Sequence, residues 1–257
     1  MILTQRNYFS RKASMEFMSV SQFKAFTRCP ACAMAEINGK YKREETTALL
    51  VGSYVDAYFS NELEDFVQKH PDIFKRDGTL KAEYIQANAI IERIKKDRKM
   101  MRYLSGEKQV IMTGVIRGVP VKIKIDSLRP DAIVDQKIVK DFEPIFDAEK
   151  NAAVPWFEFW GYDLQGAVYQ EVVRQNIGKR LPFILAAATK EKVTDIDLIN
   201  MNQEAMNVAL DRFERDVETY DAMKKKIIPI ERCEKCDYCK QTKKLSEPND
   251  SDNYYFM

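Results

Sequence analysis

The sequence predicts an α/β (α+β) domain in which helices flank a short central mixed sheet, and three observations carry the prediction. Apolar residues recur at helical spacing through most of the first half, at Val20, Phe23 and Phe26 and again at Ile90, Ile91 and Ile94. From Gln109 to Val139 the pattern switches to β-branched alternation, broken at Arg117-Gly118. A helical stretch, two strands and a last helical stretch follow, the order of elements that pack helices on a sheet. With 257 residues and 45% hydrophobic content the chain can bury a sizeable core, so residues 1–257 read as one domain without linker, repeat or low-complexity tract.

Ser19 or Ser21 can cap the first helix, because a hydroxyl just outside the first turn accepts an orphan backbone N–H. Val20, Phe23, Phe26 and Ala33 would form its apolar side. A second helix is expected over Thr46–Phe59, and helical patterning continues from Phe66 to about Tyr103, with His70 in a solvent-facing loop. Gln109–Ile116 and Val119–Ile125 read as a hairpin turned by Arg117-Gly118, and Ile133–Val139 as a third strand. A loop around Asn151–Val154 leads to a helix over Trp156–Arg174. Strands at Pro182–Thr189 and Thr194–Ile199 and a helix from about Gln203 to Lys225 complete the domain, before a polar tail over the last dozen residues.

Lys plus Arg (41) nearly balances Asp plus Glu (39), so the net charge of +2 does not mark a nucleic-acid binder. Any DNA contact must come from local clusters, of which Lys95–Arg102, Lys224–Lys226 and Lys240–Lys244 are candidates that fit a solvated helix face equally well. There is no run of about 18 apolar residues and no charged start followed by an apolar stretch, which argues against a spanning or secreted protein. Five cysteines, three of them crowded near the carboxyl end, suit a metal site in a reducing cytoplasm better than a disulfide framework.

The chemistry concentrates between Lys122 and Lys137. Residues two apart on a strand share a face, so Asp135 and Lys137 emerge together, while Asp126 ends the preceding apolar run and Ser-Leu-Arg-Pro-Asp returns the chain beside it. Two carboxylates so placed can hold Mg²⁺ or Mn²⁺, and the lysine can orient a water or offset charge on a phosphate. That is the chemistry of phosphodiester hydrolysis. On these three residues alone, an exposed hairpin with an Asp–Lys pair at its edge is the competing interpretation. Gln165 and Tyr169, four apart, project from one helix face and offer an amide and a phenol. Trp160 and Tyr162 are assigned to packing, with stacking on DNA as the minority option.

This arrangement resembles the PD-(D/E)XK nuclease superfamily, in which an acidic residue precedes a hydrophobic strand carrying Asp or Glu, any residue, then Lys. Three further segments resemble its phage and prophage branch related to exodeoxyribonuclease VIII, and in that branch's order. They are Leu50–Tyr58 ahead of the hairpin, Trp160–Gln170 after it, and Arg232–Cys239 near the carboxyl end. The resemblance covers about Ser19 to Leu245 and implies catalytic roles for Asp126, Asp135, Lys137, Gln165 and Tyr169. It also implies metal ligation by Asp56, Asp126 and Asp135, with Asp56 where the wider superfamily often has His. Gly52, one helical turn before Asp56, would permit close approach of backbone or DNA, or simply packing. Two positions depart from the pattern: Gln136 stands where an apolar residue is usual, and Ile138 where Thr is common.

Cys233, Cys236 and Cys239 form C-x2-C-x2-C, which can supply three corners of a metal site, with Cys29 or Cys32 as the fourth. The resemblance favours Cys29 and a [4Fe–4S] cluster tying the amino-terminal helix to the carboxyl-terminal segment. Tetrahedral Zn²⁺ held by the Cys29-Pro-Ala-Cys32 pair and two late cysteines is the alternative. The function implied is a cytoplasmic, Mg²⁺-dependent exonuclease that consumes linear duplex DNA in phage-type recombination. A single-strand annealing protein is the implied partner, and a homo-oligomer the form that would explain processivity. An inactive DNA-binding module on the same fold, or an endonuclease using the same site, shares most of these features.

Overall fold

Local sequence sets the first elements in a computed structural model of the protein, which describes residues 1–245 and 247–248; most of the expected polar tail lies outside these. After α1 (Arg11–Glu16), Ser19 caps α2 (Val20–Arg28) through a reciprocal box: its hydroxyl accepts the Gln22 N–H and the Gln22 side chain accepts the Ser19 N–H. The helix does not run on to Ala33 as the spacing suggested. Pro30 forces the preceding Cys29 into extended backbone and opens a new helix, α3 (Pro30–Ile37), at its first position.

Thr46 caps α4 (Thr47–Phe59) as expected. The helical stretch predicted from Phe66 to Tyr103 is broken into α5 (Leu63–Lys69), α6 (Ala82–Lys96) and α7 (Arg98–Tyr103), with Pro71 starting a short 3-10 turn after α5. His70 is only half exposed, because its ring lies on Phe66 with centroids 4.4 Å apart.

The hairpin forms as predicted from β1 (Glu107–Ile116) and β2 (Val119–Leu128). Arg117 and Gly118 both adopt positive φ, 51° and 75°, the conformation a two-residue turn needs to match strand twist. β3 (Ile133–Val139) has the predicted limits. Where a loop was expected, β5 (Ala152–Val154) pairs with β4 (Ile145–Asp147). The helix expected from Trp156 is split into α8 (Trp156–Phe159) and α9 (Tyr162–Ile177) by Gly161, at φ 65°. Then come β6 (Phe183–Thr189), β7 (Ile196–Asn200), α10 (Gln203–Lys224) and α11 (Asp237–Gln241).

The main sheet has the order β1-β2-β3-β6-β7 and is mixed, since β3 and β6 run parallel and the other neighbours antiparallel. One face packs Ile123, Ile125, Ile133 and Leu185 with Val168 and Val172 of α9 and Phe213 of α10. The other packs Val134, Ala186 and Ala188 with Val55 of α4 and Ile90 and Ile94 of α6. Burial of each large side chain contributes roughly 1.5–3 kcal/mol, so both helical layers are fixed to the sheet. β2 and β3 pair only at Ser127 with Val134 and Leu128 with Ile133, and beyond those pairs they diverge. The gap between them opens toward α4 and α9.

Folding reduces the Lys224–Lys226 candidate for DNA contact to Lys226, which is exposed and unpaired among the described residues. Lys224 is fully buried and donates to the Phe17 carbonyl at 2.9 Å, while Lys225 pairs with Asp221 at 2.5 Å.

Candidate active site and cysteine centre

Where β2 and β3 part, the Gln136 N–H loses its strand partner, and a buried N–H must be satisfied. Asp126 supplies the acceptor: its Oδ2 takes the Gln136 N–H at 2.9 Å, and its Oδ1 lies 3.5 Å from the Gln109 amide. On β3, Asp135 and Lys137 share a face as predicted and are ion-paired. Gln165 of α9 donates to Asp135 Oδ1 at 2.6 Å, and Tyr169, one turn later, donates to the Lys124 carbonyl at 3.0 Å. Asp56, from α4, lines one cleft of about 1050 Å³ together with Asp126 and Lys137. Gly52 sits one turn before it, with space for a methyl group 3.9 Å from Ile138 Cβ.

The charges in this cleft are strongly coupled. Burial first, then the neighbouring Asp135 and Asp56, holds the Asp126 carboxyl well above the usual carboxylate range. Burial also raises Asp56, with Asp135 adding to the effect and Lys137 opposing it. Burial alone would lower Lys137, but Asp135 and Asp126 outweigh it and the ammonium titrates above its ordinary range. A divalent cation would relieve the repulsion among the three carboxylates, and their oxygen donors suit Mg²⁺ or Mn²⁺. Among the described residues Asp135 Oδ2 finds no hydrogen-bond partner beyond its ion pair with the Lys137 ammonium. Asp56 and Asp126 line the cleft and Asp135 is ion-paired with the lining Lys137, and the three carboxylates do not converge as tightly as the cysteines described next. Gln136 turns its side chain away from Asp135, and its buried Nε2 finds no acceptor.

The thiols of Cys29, Cys233, Cys236 and Cys239 lie within 4.8 Å of one another, the one such donor group among the described residues. Cys29 Sγ is 3.6 Å from Cys239 Sγ, which is 4.0 Å from Cys233 Sγ. Two N–H···S bonds organise the set: Cys32 N–H to Cys29 Sγ at 3.4 Å and Cys236 N–H to Cys233 Sγ at 3.3 Å. Backbone N–H groups of Lys235 and Cys236 lower the Cys233 thiol to about 6, which favours the thiolate a metal requires. Cys32 stands outside the group, its sulfur 4.0 Å from Arg43 Nη2 and 3.9 Å from Glu36. The geometry therefore gathers Cys29 with the three late cysteines and leaves out the rival Cys29–Cys32 pair.

Residues 19–242 match the family described as "PDDEXK-like domain of unknown function (DUF3799)". The chain belongs to this PDDEXK-like family. A crystal structure of a "putative exonuclease" from Eubacterium rectale is 41% identical, with a TM-score of 0.93 over 100% of this chain and 99% of that one. The crystal structure of SSO0001 is 14% identical over 72% of this chain and 83% of that one, and its TM-score of 0.29 carries no argument. No curated protein matches.

The PDDEXK-like match begins at Ser19 and so includes α2, which carries a lysine beside the cleft that the sequence reading did not single out. Lys24 donates to the Trp160 carbonyl at 2.8 Å and sits 5.3 Å from the Tyr162 ring centre, whose ring is also 5.2 Å from Lys137 Nζ. Burial, reinforced by Lys137, lowers its ammonium to about 8. In the sequence Lys24 looks like any polar position of an amphipathic helix; its proximity to Cys29 on a segment resembling the family was the available signal. Trp160, assigned to packing, is 54% exposed and lines the cleft, whereas Trp156 takes the core position. Among the described residues no helix is long and apolar enough to cross a membrane.

Proposed function

We propose that this PDDEXK-like protein is a divalent-metal-dependent deoxyribonuclease that degrades linear duplex DNA from its ends, in phage-type recombination. One observation carries the reading: a lysine ion-paired with Asp135 shares a buried cleft with Asp126 and Asp56, on a fold 41% identical over its full length to the "putative exonuclease". Asp56, Asp126 and Asp135 would hold Mg²⁺ or Mn²⁺, which supplies Lewis acidity toward water and phosphate when bound. Lys137, protonated beside two carboxylates, orients the attacking water and offsets charge developing on the phosphate. Gln165 fixes Asp135, and Tyr169 fixes the β2 backbone two residues before Asp126, so both keep the carboxylates aimed into the cleft. An annealing protein that takes up the single-stranded product, a homo-oligomeric form and a cytoplasmic setting complete the proposal.

At the cysteine centre the sulfur separations support one tetrahedral ion. Zn–S bonds of about 2.3 Å place thiolates roughly 3.8 Å apart, whereas the inorganic core of a cubane would spread them further. The test of the enzyme is incubation with end-labelled linear DNA and covalently closed circular DNA, with Mg²⁺ or with chelator. Loss of linear DNA only in Mg²⁺, and a rate about 10²–10³ lower in Lys137→Ala, is expected. Equal loss of circles would replace exonuclease by endonuclease; no loss of either, from folded protein, would leave a binding module.

A further inference from the structure

A second cavity, of about 820 Å³, lies beside the cysteine centre and is distinct from the catalytic cleft. Its walls include Arg28, Lys40, Lys42 and Arg43, against two lining carboxylates, Glu44 and Asp237. Arg43 is engaged by Glu36, and Lys42 lies 3.8 Å from Glu45. Among the described residues neither Arg28 nor Lys40 pairs with a carboxylate, and both are exposed. Tyr41 and Tyr238 meet edge to face in the same wall, with ring centres 5.5 Å apart. Cations with free valence next to aromatic rings are the chemistry of a phosphate backbone with accessible bases.

Two segments connect this groove to the catalytic cleft. On α2, Arg28 follows Lys24 by four residues, so both stand on one helix face about 6 Å apart along the axis. Lys24 reaches Trp160 and Tyr162 at the cleft, and Arg28 opens into the groove. The second segment runs from Lys40 to Thr46: Lys40–Glu44 line the groove and Thr46 lines the cleft. Trp160 is exposed in the cleft wall and its carbonyl accepts from Lys24. We propose that the groove holds the single-stranded part of a nucleic-acid substrate, with Arg28 and Lys40 on its phosphates and Lys24 passing the strand to the cleft. Bases paired in a duplex could not reach the tyrosines, which is why a single strand is the occupant. The proposal deepens the nuclease reading and rests on it for direction of travel, while strand binding can be measured without catalysis.

The test uses full-length protein in chelator and the variant Arg28→Gln/Lys40→Gln, whose sites are exposed. Fluorescein-labelled single-stranded and blunt duplex oligonucleotides are titrated by anisotropy over a range of salt. Single-strand affinity should fall about tenfold, and the slope of log K against log salt should shrink by about 1.4, or 0.7 for each lost phosphate contact. Arg28→Lys/Lys40→Arg should retain the slope. Hydrolysis of thymidine 5′-p-nitrophenyl phosphate in Mg²⁺, a substrate that fills only the cleft, should be unchanged by the Gln variant. Unchanged single-strand affinity and slope would overturn the groove assignment, as would an equal loss for duplex. If wild-type protein hydrolyses neither DNA nor the small diester, the nuclease reading fails, and the salt slope still decides the groove.

Discussion

A carboxylate taken out of water beside two others resists ionisation, and Asp126 is the residue at which this protein bears that cost. Its folded-state pKa is raised, so the sign is fixed. Well below the unfolded value of about 4 both the folded and unfolded groups are protonated and nothing is lost; as pH rises toward the raised folded value, the unfolded chain ionises first and stability falls. Asp56 acts in the same direction. In chelator, the urea midpoint should therefore decline as pH rises from about 4 toward the raised folded value, and Asp126→Asn, which can still accept the Gln136 N–H, should flatten that decline. Parallel pH profiles for wild type and variant would show that Asp126 is not the group responsible. Gln136, on the neighbouring strand β3, carries a cost of its own, since a buried amide nitrogen without an acceptor typically costs about 1–3 kcal/mol.

At the level of elements, the site exists because β2 and β3 separate after two pairs and α9 crosses the sheet closely enough for Gln165 to reach Asp135. Gly166 makes that crossing possible. A Cβ there would stand 2.7 Å from Phe183 Cδ1 and 2.8 Å from Met206 Sδ, and Phe183 is wholly buried with nowhere to move. Helix propensity favours Ala over Gly by about 1 kcal/mol, but overpacking a tight core costs about 1–3 kcal/mol. Gly166→Ala should thus destabilise by up to about 2 kcal/mol and weaken activity by displacing Gln165. Gly52→Ala supplies the opposite sign, because its methyl group would meet Ile138 at an ordinary 3.9 Å and the helix gain should dominate. Urea unfolding of the two variants checks the pair; a stabilised Gly166→Ala would mean that α9 sits further from β6.

Across the whole molecule, the cysteine centre joins the start of α3 to the last helix, over 210 residues of chain. The same junction is bridged by the Ala31 N–H on the Glu231 carbonyl at 2.9 Å, and Arg232 braces the carboxyl-terminal side by donating to the Cys239 carbonyl at 2.8 Å. Metal affinity realised only in the folded chain adds directly to stability. Cys239→Ser should lose the metal and several kcal/mol, on the order of 3 or more, while Cys32→Ser should retain one equivalent. Metal content by mass spectrometry and thermal unfolding with and without chelator measure both effects. Metal retained in Cys239→Ser but lost in Cys32→Ser would move the site to the other pair.

The sequence by itself determined what depends on local pattern. Alternation and a positive-φ turn placed the β1–β2 hairpin and β3, a two-residue period put Asp135 and Lys137 on one face, and close spacing marked Cys233, Cys236 and Cys239. The family resemblance carried Asp56 and the preference for Cys29, which spacing left open. Tertiary structure decided everything that depends on which surfaces meet. Lys224 and Lys24 are each one helical lysine in a charged run or face; packing buried the first against Phe17 and aimed the second at Trp160. Trp160 read as an aromatic packing residue, and tertiary structure left it exposed at the cleft wall while Trp156 took the core position. Cys29 was separated from Cys32 because the break at Pro30 turns one sulfur to α11 and leaves the other beside Arg43 and Glu36. Periodicity reports how a segment folds on itself, and it cannot report which distant segment will cover it.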